Sequence, residues 1–463
     1  MNRIKLTKEK LMEILSKNND DDAMEHYYET ACNDGFEANQ HAALAAVLVM
    51  LVRYKNRKLC VETNLDPLEF FGLNMINNDN PYWKYYELLE RTNFQIAMCL
   101  INDEPIPEQP LVEFSEIQAH ALFLFGHYLS SLKMCQNALA RDSSNTFSNY
   151  IKASLIDLCF VNKTPIPYKI ALLNYQKNLI SICDKTKFPL NIQLFDSVVE
   201  IINNNTKDFG ETEKHISFTP IGETYDKTKE TVPEWTKEHD FYLKHNLFLN
   251  PLSNFGKFIE ASYEELEPLS IDAKHNDYFN EIIDDYKLCR SLTYSFYEGI
   301  NSVGKREMSM VYIYAYSIFD KIAYLLSKVY NLNIDDDQTS FSQNRLFDVK
   351  IKDSDIRFRD IKNNNILPLY IIMKKAREKN KFNNALQVGT FEHNELRNTI
   401  DHKSLALVDE MKLRRNAPML LEMVRDTILY TFMLLSSCPS DTTVNLTTAI
   451  STTFFKALIN EQP

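Results

Sequence analysis

Apolar residues in the first 205 positions recur at intervals of three and four, which predicts successive amphipathic helices joined by short turns such as INDEPIPEQP and VNKTPIP. Over residues 117–132, Ile117, Ala121, Leu122, Phe125, Tyr128, Leu129 and Leu132 make one continuous buried stripe, as expected of a single helix. In the next predicted helix, LKMCQNALARDSSN, Cys135, Ala138 and Leu139 stand where a tetratricopeptide-like hairpin keeps its tight contacts, and Ser143 and Ser144 end the turn. No second copy aligns at the strict period of about 34 residues, so residues 1–205 are expected to form degenerate tetratricopeptide-like repeats. Stacked hairpins of this kind leave an extended concave surface, suited to a protein trigger or regulator.

The periodic pattern lapses over residues 206–235, where Gly, Pro, Thr and charge collect, and this marks a linker. Residues 236–463 then form a second domain, with helices expected at 280–303, 308–332, 364–379, 391–408 and 418–437. The second of these carries Val311, Tyr314, Ala315, Ile318, Ile322, Leu325 and Val329 on one face, a bundle core. Between the second and third, FSQNRLFDVKIKDSDIRFRDIKNNN is longer and charged, and reads equally as a substrate-contacting excursion or a solvated loop. The fold class is all-α: helical-hairpin repeats followed by a helical bundle.

Composition agrees. Only 9 glycines in 463 residues leave few positions for left-handed turns, which long helices tolerate well. The longest apolar run, AALAAVLVMLV at 42–52, is about half a membrane span and is expected to be a buried helix. The amino terminus has no signal-peptide pattern, so a cytoplasmic protein without membrane contact is expected. Eight scattered cysteines with no CxxC pair read as core thiols, and neither metal nor cofactor is expected. There is no nucleophile elbow, phosphate-cradling glycine loop or zinc-protease helix.

Charge is unevenly spread. The chain carries −12 overall, yet residues 340–415 hold 16 Lys and Arg against 10 Asp and Glu, a basic stretch that suits a polyanion. Within it lies FEHNELRNTIDHKSL, residues 391–405. On a helix, Asn398 and His402 share a face and Arg397 lies about 100° away, so an amide could orient an imidazole beside a phosphate-binding arginine. Arg397 and Asp401 are also four apart, an ordinary surface ion pair with His402 exposed beside it, and spacing alone favours that reading.

The setting changes the balance. Arg397, Asn398 and His402, preceded by HNEL and followed by Lys403, together with SIFDKIAYLLSKVYNL upstream and NLFLNPL after Trp235, resemble the signature of HEPN domains. The branch most similar in layout follows tetratricopeptide-like repeats in bacterial defence proteins. The resemblance covers roughly residues 236–440. It implies a homodimer in which two Arg-Asn-x-x-x-His motifs face each other and cleave RNA without a metal ion. Arg397, Asn398 and His402 are then the expected catalytic residues, serving antiviral defence or toxin-like growth arrest. The rivals are a non-catalytic scaffold and a nucleotide-binding module.

Lys403, Arg414 and Arg415 are candidates for tracking RNA phosphates, although each alone reads as solvated surface. Asp320, inside an apolar helix, reads first as a partly exposed neighbour of Lys321; capping a neighbouring helix or orienting the arginine are the alternatives.

Overall fold

The computed structural model describes residues 108–155 except 125, 235–251, 271–299, 304–361, 365–377, 396–400 and 408–436, with shorter pieces within 45–55, 88–99, 175–183 and 264–269 and at 363 and 393. The expected linker lies outside them apart from Trp235. No β-strand occurs among these residues, only isolated antiparallel bridges such as Leu332 to Ile351, so the protein is all-α as its periodicity predicts. Among the described residues no helix is long and apolar enough to cross a membrane. Ala45, Leu48 and Val52, from the longest apolar run, are helical and fully buried.

The stripe at 117–132 is not one helix. Helix α1 (Glu108–Leu124) ends there and α2 (Tyr128–Leu139) begins after a sharp turn. Gly126 takes a left-handed φ of 70°, and the His127 amide donates back to the Leu122 carbonyl at 2.8 Å, a Schellman closure that only a glycine adopts cheaply. The chain folds back on itself, and the Ser131 hydroxyl donates to the Ala119 carbonyl at 2.6 Å. Both helices face one core, which is why the apolar spacing runs through the turn unchanged. Helix α3 (Thr146–Ser154) follows, its first turn capped by Asn145 accepting from the Ser148 amide.

In the second half, α4 (Lys237–Lys244) is capped by Thr236 and His239. Helix α5 (Ala273–Glu298) ends on Gly299 at φ 67°, and α6 (Lys305–Val329) returns along it. Helix α7 (Ile366–Arg377) and α6 pack on α8 (Glu410–Ser436), the central element. Helix α6 is buried on more than the predicted stripe: Tyr312, Tyr316, Phe319, Ala323 and Leu326 are also core. Tyr314, expected within the stripe, is instead 39% exposed, with its hydroxyl donating to Asp285 at 2.5 Å.

Helix α8 starts eight residues before Pro418, which sequence reading would place at its beginning. A proline inside a helix cannot donate to the carbonyl four residues earlier, here that of Arg414. The Tyr297 hydroxyl of α5 donates to that carbonyl instead, so the orphaned acceptor is satisfied and the helix continues.

The segment between α6 and α7 is not a solvated loop. Phe341, Leu346, Phe347 and Phe358 are wholly buried, and Phe347 meets Phe341, Phe358 and Tyr370 with centroids 5.2 to 5.9 Å apart. Charged side chains such as Arg345 and Arg357 point outward, which is why the segment reads as polar in sequence.

The two halves also touch. The Leu129 amide of α2 donates to the Tyr430 hydroxyl of α8 at 3.0 Å in a buried position. Lys133 pairs with Glu422 at 2.7 Å, and Glu90 with Lys375 of α7 at 3.0 Å.

Candidate active site on the α6 face

Helix α6 presents Tyr312, Tyr316 and Asp320 at successive four-residue steps, and therefore on one face. His393, buried to 1% exposure, meets Tyr312 through its Nδ1 and the phenol oxygen at 2.5 Å, with the two rings stacked. Four positions further along in both cases, the Arg397 guanidinium lies 5.6 Å from the centroid of the Tyr316 ring, within cation–π range. The Tyr316 hydroxyl donates to the Ala376 carbonyl at 2.5 Å, in the last turn of α7. Arg397 and Asn398 are half-buried within the helical residues 396–400. His402 and Lys403 lie outside the described residues.

Asp320 is partly exposed beside Lys321, as its sequence reading expects, and it also acts as a cap. Its Oδ1 accepts the Phe341 amide at 2.9 Å, capping the start of the segment between α6 and α7. Lys321 turns the other way, to Asp285 at 2.5 Å and Glu281 at 3.1 Å on α5. Arg414 lies over the Phe296 ring at 4.4 Å with its Nε 3.2 Å from Glu410, where the end of α5 meets α8, and Arg415 is exposed on α8. Among the described residues no His, Cys, Asp and Glu cluster could hold a metal ion, and Cys99, Cys135, Cys183 and Cys289 are buried thiols.

Sequence reading gave His393 no role. Its spacing of four from Arg397 was the available signal, since it puts both on the face that meets α6. It also missed the buried ionic network around residues 246–250, the NLFLN segment. Leu247, Phe248 and Leu249 are buried without regular structure, so their backbone needs side-chain partners. Arg290 and the Tyr286 hydroxyl donate to the Leu247 carbonyl at 2.8 and 2.6 Å. Glu264 accepts the Leu249 amide, and Arg425 donates to the Phe248 carbonyl at 2.8 Å.

Charge there is closed on itself. Arg290 reaches both oxygens of Glu264 at 2.6 Å, a bidentate pair, and its guanidinium lies 4.0 Å from the Tyr242 centroid. Arg425, with no exposed surface, pairs with Asp426 at 2.8 Å. Burial pushes the Asp426 carboxyl up to about 6, against the pull of Arg425.

Comparison with known proteins adds one finding. No curated protein and no solved structure matches the chain. Residues 284–437, from within α5 to the end of α8 and including the Arg-Asn-x-x-x-His motif, match the family described as LA2681-like HEPN, which supports placing this bundle in the HEPN superfamily.

Proposed function

We propose that the carboxy-terminal bundle is a HEPN endoribonuclease. HEPN domains are commonly ribonucleases, and the observation that carries the reading is the family match across the very residues that hold Arg397, Asn398 and His402. The chemistry suits these groups. RNA brings its own nucleophile, and a neutral His402 imidazole near pH 7 takes the proton of the 2′-hydroxyl as its oxygen attacks the adjacent phosphorus. The bond from phosphorus to the 5′ oxygen then breaks, and the partner subunit's His402 protonates the departing oxygen. The products are a 2′,3′-cyclic phosphate and a 5′-hydroxyl.

Arg397 stabilises the charge that builds on the phosphoryl oxygens, and Asn398 orients the phosphate or the imidazole. The guanidinium lies over the Tyr316 ring within cation–π range, and its fork of N–H donors suits a phosphate. The site is composite, built from two copies of the motif in a homodimer. The amino-terminal half, a tetratricopeptide-like platform, controls it in response to a protein trigger, and cleavage serves antiviral defence or growth arrest.

The experiment incubates full-length wild type and His402→Ala with total RNA in EDTA, across candidate activating lysates, and maps the ends produced. Cyclic-phosphate ends made by wild type and absent from the variant are expected. Equal ends from both, or none from wild type under every condition, remove the nuclease reading and leave a nucleotide-binding or scaffold module.

A further inference from the structure

Two contacts with the same spacing on both partners fix a register. His393 meets Tyr312 and Arg397 meets Tyr316, four residues further on in both cases, so these two residues run alongside α6 in the same direction. Tyr316 itself cannot swing. It is 2% exposed, its hydroxyl is fixed to the Ala376 carbonyl, and Phe319 packs edge-on against it at 5.7 Å. Its ring therefore presents one set face to the guanidinium. A cation–π contact on an immobile ring restricts where the guanidinium can lie.

We propose that Tyr316 is a positioning residue for Arg397, its fixed ring face holding the guanidinium through the cation–π contact, with Tyr312 and His393 fixing the register one turn earlier. Tyr316 touches no reacting atom. It acts through Arg397, so removing the ring lowers the rate of the step that arginine serves, not the binding of RNA, to which many other cations contribute. The activity part of this rests on the ribonuclease reading; the cation–π contact does not.

The test has two arms on the full-length protein. In the first, side-chain NMR signals of Arg397, identified by their loss in Arg397→Lys, are compared between wild type and Tyr316→Phe. Ring-current-shifted signals in both are expected, because phenylalanine keeps the face; unshifted signals in wild type overturn the proposal whatever the enzyme does. In the second arm, RNA cleavage by Tyr316→Leu is expected to fall about 10- to 100-fold in kcat with KM within about 3-fold, as small misplacements of a reacting group commonly cost. Tyr316→Phe, which loses only the bond to Ala376, is expected to restore activity to within about 3-fold of wild type. A folded Tyr316→Leu with wild-type kcat, or a Tyr316→Phe as impaired as the leucine variant, overturns the proposal. Should the leucine variant not fold, the spectral arm decides. A wild type that cleaves no RNA refutes the ribonuclease reading and leaves the ring contact to be judged by the spectra.

Discussion

Around residues 246–250 and around residues 393–397 the protein sets arginines in two different ways. Arg290 and Arg425 lie inside, their donors turned to the Leu247 and Phe248 carbonyls, Glu264 and Asp426. Arg397 is half-buried, its guanidinium over the Tyr316 ring at 5.6 Å from the centroid. In the first setting arginine holds a chain that has no regular structure of its own. In the second, the fold holds the arginine. A buried guanidinium without its carboxylate leaves an uncompensated charge in a dry place, whereas a half-exposed one can be removed with little disturbance and still matter greatly to chemistry.

That contrast can be broken or sharpened by substitution. The largest loss of stability is expected from Arg290→Met, which strands Glu264 in the interior: about 3–5 kcal/mol, measured by chemical denaturation. A much smaller loss would mean that residues 246–250 do not depend on the ionic network.

Acid gives the next effect. Burial pulls His120 down to about 4, and burial with Lys375 nearby pulls His127 down to about 3, from an ordinary 6.5. The folded protein binds fewer protons at these sites than the unfolded chain, so their stabilisation is present above pH 6.5 and is lost as pH falls below it. By pH 5 each histidine contributes a loss of about 2 kcal/mol, and melting temperatures at pH 7 and 5 should draw closer together in His127→Gln. Asp426 acts oppositely between 3.8 and about 6, because its raised carboxyl takes up a proton in the folded state first. Asp426→Asn should therefore steepen the acid loss.

Tyr430→Phe removes the acceptor of the buried Leu129 amide at the contact between the halves, and about 1–3 kcal/mol is expected by denaturation. The smallest effect belongs to Lys321→Met. It breaks partly exposed pairs to Asp285 and Glu281, worth about 0.2–1 kcal/mol together. A loss there rivalling that of Arg290→Met would erase the distinction between buried and surface charge.

What the sequence made legible follows from what a period can report. Helices α5 to α8 were visible because each keeps an apolar face over many turns, and all-α followed from them and from the scarcity of glycine. The turn at Gly126 was missed because the same core lies on both sides of it. The early start of α8 was missed because the residue that tolerates Pro418 is Tyr297, on another helix. The buried face of α6 through Tyr312 and Tyr316 was obscured since tyrosines suit interior and surface alike. At the site, Arg397 and Asn398 were singled out by resemblance, not spacing. The environment of Arg397 depends on Tyr316 and Ala376, brought there only by folding.

The central claim is that Arg397 serves chemistry while Arg290 and Arg425 serve the fold. It is tested most directly by measuring the denaturation midpoint and the RNA cleavage rate of Arg397→Ala on the same preparation. Stability within about 1 kcal/mol of wild type is expected from its partly exposed position, with cleavage reduced about 100- to 1000-fold. An Arg397→Ala protein that unfolds as readily as Arg290→Met, or that cleaves RNA as fast as wild type, contradicts the account.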